Sequence, residues 1–158
     1  MRQTFDRRSV LGICVGGAAG AALLGSATPS LAAADKYAAD LKASSEVPPN
    51  TSSATGKATV TYDAATKQVT WEGSFSELSG PATAAHIHGP AAAGKNAGVI
   101  VPLSQSGVAF TSPFKGSATL AADKAAALAS ALSSGEAYVN IHTKANPGGE
   151  IRGQLAKS

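Results

Sequence analysis

Short segments in which apolar and polar residues alternate recur along most of this chain. A period of two confines such segments to strands with one buried face. Tyr37, Ala39 and Leu41 fall on one side of a first segment. Ala58, Val60 and Tyr62 oppose Lys57, Thr59 and Thr61 in a second, and Val69, Trp71, Gly73 and Phe75 oppose Gln68, Thr70, Glu72 and Ser74 in a third. The turn residues Asp63-Ala64-Ala65-Thr66 between these two predict a hairpin, with Trp71 in the core. Further strands are predicted at residues 83–88, 99–103, 108–115, 137–142 and 150–155, with Gly and Pro as the main breaks between them. Residues 121–133 depart from the pattern. They are Ala-rich, Leu120, Ala127, Leu128, Ala131 and Leu132 gather near one helical face, and Gly135 supplies a stop. The expected fold is all-β with one short helix, a Greek-key antiparallel sandwich or partly open barrel of about eight strands.

Residues 1–34 read as a secretory leader, with a basic start, an apolar stretch from Val10 to Leu24, and small residues through Ala32-Ala33-Ala34. Within it, Asp6-Arg7-Arg8-Ser9-Val10-Leu11 resembles a twin-arginine export signal. The apolar stretch is shorter than the roughly 20 residues of a spanning helix. A periplasmic or secreted product without a membrane anchor is therefore expected. Cys14, the one cysteine, lies inside this leader, so residues 35–158, read as a single domain, form no internal disulfide. Outside the leader the formal charge of +3 falls to +1, because Arg2, Arg7, Arg8 and Asp6 all lie within it. The remaining cations form no run, which excludes a nucleic-acid footprint.

All three histidines fall in two of the predicted strands, in Ala84-Ala85-His86-Ile87-His88-Gly89-Pro90 and in Tyr138-Val139-Asn140-Ile141-His142-Thr143. Residues two apart on a strand share a face, about 7 Å apart at the backbone. His86 and His88 thus stand together opposite Ile87, and His142 shares a face with Tyr138 and Asn140 opposite Val139 and Ile141. Should the two strands adjoin, three imidazoles converge on one ion with an open position. That arrangement suits copper, with zinc as the alternative. The spacing is equally that of two solvent-facing strand histidines and a third that caps a turn. Residues 90–98, a small-residue loop beside the His pair, are placed to shape access.

Four blocks resemble the CHRD domain, first described in chordin: Glu46-Val47-Pro48-Pro49, the His86-Ile87-His88 block, Gly135-Glu136-Ala137-Tyr138-Val139-Asn140-Ile141-His142-Thr143, and Pro147-Gly148-Gly149-Glu150-Ile151-Arg152-Gly153-Gln154-Leu155. The resemblance implies an extracellular β-rich domain. A remoter one is to the copper–zinc superoxide dismutases, whose copper-ligand block is a strand His-x-His. In those proteins a later copper-ligand His precedes a Gly-rich stretch and an Arg, an order similar to His142, Gly148-Gly149 and Arg152. The chain lacks a bridging fourth His, a zinc site and the disulfide. The resemblance therefore implies at most a copper-only site of His86, His88 and His142, with Arg152 as the catalytic-site cation.

The expectation that follows is a secreted mononuclear copper protein with superoxide dismutase-like activity, Arg152 drawing in a small anion such as superoxide. Two other outcomes are weighed, a non-catalytic extracellular binding or adhesion module and a copper storage or delivery protein. The latter lacks Met-rich tracts. Arg152 is alternatively a strand-end residue paired with Glu150 or Glu136. Glu150 is an extra ligand or, more simply, half of a surface ion pair. Tyr138 and Asn140 are candidates for orienting an imidazole.

Overall fold

The computed structural model describes residues 34–158. The expected cleavage region up to residue 33, the twin-arginine segment and Cys14 lie outside the described residues. Nine strands form one antiparallel sheet: β1 (Asp35–Lys42), β2 (Thr55–Asp63), β3 (Gln68–Ser76), β4 (Ala82–His88), β5 (Val99–Pro102), β6 (Phe114–Thr119), β7 (Tyr138–Thr143), β8 (Ile151–Gln154) and β9 (Ala156–Lys157). Their order is β5-β4-β7-β8-β1-β2-β3-β6, with β9 continuing the β8 edge along β1. The all-β expectation is met as a single sheet curled into a half-barrel. One end is drawn toward the other. The Trp71 indole on β3 donates to Leu103 O at 3.1 Å, just past β5, and Ala82 on β4 bridges Phe110, which packs on Phe75 and Phe114.

Alternation decides which residues line the hollow. Tyr37, Ala39 and Leu41 on β1, Ala58, Val60 and Tyr62 on β2, and Val69 and Trp71 on β3 are buried as the pattern requires. They meet Ala85 and Ile87 of β4, Val139 and Ile141 of β7, and Ile151 and Leu155 of the β8 edge in one cluster. The helix α1 (Ala122–Ser133) plugs the hollow with Leu128, Ala131 and Leu132. The Tyr62 hydroxyl donates to Ala125 O at 3.2 Å. The helix stops as Gly135 predicts: this residue has φ +71°, and the N–H groups of Gly135 and Glu136 return to Leu132 O and Ala131 O. The one misplaced strand is that expected at 108–115. Its pairing segment is β6, because 108–113 form the crossing that carries Phe110 to Ala82 and brings the Ser112 hydroxyl to Phe75 N at 2.8 Å.

At one end of the half-barrel the loops are tied to a carboxylate. Glu150, expected as a ligand or in a surface ion pair, is fully buried. It accepts hydrogen bonds from Ser52 Oγ at 2.7 Å, Ser79 N at 2.7 Å, Ser79 Oγ at 2.6 Å, and Thr143 Oγ1. Asn50 Nδ2 donates to its backbone carbonyl at 3.0 Å. Burial alone would raise its pKa, but the donors from Ser79, Thr143 and Ser52 outweigh it and hold the carboxyl at about 2. A carboxyl depressed from its unfolded value stabilises the fold above that unfolded value. The contribution is lost as pH falls toward 2. Glu150→Ala is expected to cost about 3 kcal/mol in urea unfolding at neutral pH, and its deficit relative to wild type to shrink on acidification between about pH 4.5 and 2. A deficit independent of pH there would mean that packing, not the charge, holds the loops.

Candidate metal centre

Strands β4, β7 and β8 turn their alternate residues outward, and that outer face is also covered. β4 and β7 adjoin, with Ala84 opposite His142, His86 opposite Asn140 and His88 opposite Tyr138. On the other side of β7, Tyr138 faces Gln154 and Asn140 faces Arg152. The three histidines expected to converge do so, and one candidate ligand nitrogen from each lies within 4.8 Å of the others. Ring centroids are 4.9 Å apart for His86 and His142 and 5.4 Å for His86 and His88.

Backbone carbonyls decide which nitrogen each ring offers. A carbonyl oxygen can only accept, so His88 Nδ1 donates to Ala97 O at 3.0 Å and His142 Nδ1 donates to Pro147 O at 3.0 Å. Each Nε2 is thereby left with its lone pair. His88 Nε2 is buried and has no hydrogen-bond partner. His86 presents Nδ1, 3.1 Å from His142 Nε2. Burial, then the neighbouring His142 and His88, lower the His86 pKa to about 4. Burial likewise lowers those of His88 and His142. With His142 Nε2 as the acceptor, His86 Nδ1 donates to it in the metal-free chain. Three neutral imidazoles, two of them with tautomers fixed by carbonyls, fit a divalent or monovalent transition-metal ion that displaces the proton between His86 and His142.

Arg152 is brought to this neighbourhood but is 1% exposed. It pairs with neither Glu150 nor Glu136. Its guanidinium lies 3.4 Å from the Tyr138 ring centroid. It donates to Lys95 O at 2.6 Å, Asn96 Oδ1 at 3.1 Å and Gln154 Oε1 at 3.3 Å. Tyr138 stacks in turn on His88, with centroids 4.9 Å apart and planes 5° apart, and its hydroxyl accepts from Ala97 N at 3.1 Å. Arg152, Tyr138, Ala97 and His88 thus form a circuit. The cation holds the loop at 90–98, and the loop supplies the carbonyl that fixes His88. Tyr138 thus packs face to face on an imidazole. Asn140 is buried beside His88, with an Oδ1 that has no partner in the hydrogen-bond geometry.

Sequence reasoning missed the carbonyls of Ala97 and Pro147, because any residue type carries one. It also passed over Glu46, which is 5% exposed. Only its place in a recurring block marked it.

Arg152→Met keeps the volume and removes the donors. It is expected to cost about 3 kcal/mol in urea unfolding, and Tyr138→Phe about 1 kcal/mol. A loss for Arg152→Met no larger than that for Tyr138→Phe would show that the loop stands without the guanidinium.

Among curated proteins and solved structures, no significant match is found. Residues 37–155 match the CHRD domain. That stretch spans every strand but β9 and the first two residues of β1, and carries the three histidines, Arg152 and Glu46. The chain therefore belongs to the CHRD domain family.

Proposed function

We propose that this protein is an extracellular copper protein in which His86, His88 and His142 hold one ion through Nδ1, Nε2 and Nε2, and that it turns over a small anion such as superoxide. Membership of the CHRD family and the leader expected from the sequence support an extracellular module. One observation carries the metal reading: two backbone carbonyls commit His88 and His142 to donating through Nδ1, which leaves two Nε2 lone pairs in a cluster where one nitrogen from each of the three rings lies within 4.8 Å of the others. Capping a turn accounts for the bond from His142 to Pro147, but it leaves the buried His88 Nε2 without a partner, which an ion would supply.

An all-imidazole donor set favours copper over zinc, because affinities for such sites rise to copper and fall again at zinc. When bound, copper would supply a one-electron couple at the half-exposed side of the triad. The chain's own part is to orient and to attract. The loop at 90–98 and the turn at Pro147 hold the rings of His88 and His142, and His86 would offer Nδ1 to an ion by shifting its proton from Nδ1 to Nε2. The anion-attracting role of Arg152 is exerted through its field, from behind Tyr138. Such attraction is local, since the charge outside the leader is only +1. A module without turnover is the coarser reading that family membership alone supports.

Metal content and electron paramagnetic resonance of reconstituted protein are expected to give one copper per chain with nitrogen hyperfine structure. His86→Ala, His88→Ala and His142→Ala are each expected to weaken binding by more than the roughly 10–100-fold typical of losing a group that only orients a ligand. Unchanged affinity in any one of them removes that residue from the site. In stopped-flow decay of superoxide, the copper form is expected to outpace an equal concentration of free copper, and the zinc form to be inert. The rate is expected to fall as salt rises, because charges beyond about 8 Å are screened at physiological ionic strength. No turnover above that of free copper leaves a binding module.

A further inference from the structure

On the side of Arg152 away from the histidines, the segment that follows β1 and the loop at 90–98 enclose a cleft of 380 Å³ lined by Ser44, Glu46, Val47, Ala93, Arg152 and Gln154, among others. The volume lies in the range of about 300–1,000 Å³ usual for small-molecule sites. Two side chains of opposite charge, both more than nine-tenths buried, meet it. They are not an ion pair: the salt bridges among the described residues are Lys57 with Asp40 and Lys157 with Asp35.

Each of the two charges has unused capacity. Glu46 Oε1 is buried without a hydrogen-bond partner. The carboxyl is pressed against Gly149, where φ is +131° and a Cβ would stand 2.5 Å from that same oxygen. Gly149 thus makes room for the carboxyl. Arg152 has five N–H groups, and the bonds to Lys95, Asn96 and Gln154 use three. The others, on Nε and Nη1, are left over. Burial raises the Glu46 pKa to about 7 although Arg152 and the Val47 N–H pull it down. The carboxylate is therefore under-compensated by what surrounds it. Keeping two opposite buried charges apart is costly unless each is satisfied.

A ligand that satisfies both must carry a donor cation at one end and an acceptor anion at the other, on a short frame that the apolar Val47, Pro49 and Ala93 can hold. A lone cation would be repelled by Arg152, and a lone anion by Glu46. We propose that this cleft binds a small zwitterion, a free α-amino acid or short peptide, with its ammonium on the Glu46 carboxylate and its carboxylate toward the Arg152 guanidinium. The site is distinct from the histidine triad and does not depend on a metal there.

The probes are L-alanine and glycylglycine, with acetate and ethylamine as single-charge controls. Binding to the purified protein is followed by calorimetry and by NMR shifts of the Gly94 amide and the Gln154 side-chain amide. Either zwitterion is expected to bind and to move both signals, with acetate and ethylamine about tenfold or more weaker. Glu46→Gln, checked for folding by circular dichroism, is expected to lose about tenfold or more. His86→Ala is expected to bind the zwitterion as wild type does, which separates this site from the metal reading. The proposal is overturned if neither zwitterion binds, if a single-charge control binds as tightly, if binding leaves Gly94 and Gln154 unmoved, or if folded Glu46→Gln binds like wild type. Should Glu46→Gln fail to fold, the controls and the NMR shifts on wild type still decide it.

Discussion

A guanidinium buried outside the hydrophobic core organises one side of this protein. Arg152 sits on the outer face of the sheet, where a strand residue would ordinarily meet water, and a buried cation persists only if its donors and its charge are answered. The answer comes from Lys95 O, Asn96 Oδ1, Gln154 and the Tyr138 ring. Recruiting them draws the loop at 90–98 across β4, β7 and β8. Once the loop is there, Ala97 meets both His88 and Tyr138, and the histidine face becomes half-buried. The covered face, the fixed tautomer and the shape of the neighbouring cleft all follow from where one charge was put.

Glu150 does the corresponding work at the other end of the β7–β8 connection, by the opposite means. Hydroxyl and backbone donors surround it until no capacity remains. Two residues apart on the chain, Glu150 and Arg152 do not pair with each other. Each instead gathers separate loops, so the short connection 144–150 is fastened on both sides. His142 lies at the start of that connection and takes its acceptor, Pro147 O, from within it.

The period-two pattern made the inward residues of β1, β2, β3, β4 and β7 legible, and it put the three histidines on one side of their strands. It could not say that β4 adjoins β7, which depends on a partner about fifty residues away. Nor could it say that the outer face is dry. Alternation reports which way a side chain points, and what lies over it is set by loops that carry no period. For that reason Glu150 read as a ligand or half of a surface ion pair, and Arg152 as an anion-attracting cation or its partner. The block around Phe110 misled in another way, since aromatic and β-branched residues mark a strand whether the segment pairs along its length or crosses between sheet ends by a single bridge.

The backbone carbonyls on Ala97 and Pro147 also bear on the order of assembly. They are placed by the loop and the turn, which are themselves held by Arg152, Asn96 and Glu150, none of which waits for an ion. A triad held in this manner is complete when the chain has folded, so on the proposed metal reading loading would be a late step that adds little to reaching the native state. On that reading, what occupies the site would be governed by the ions available to the folded protein, and the occupant could be exchanged without unmaking the fold.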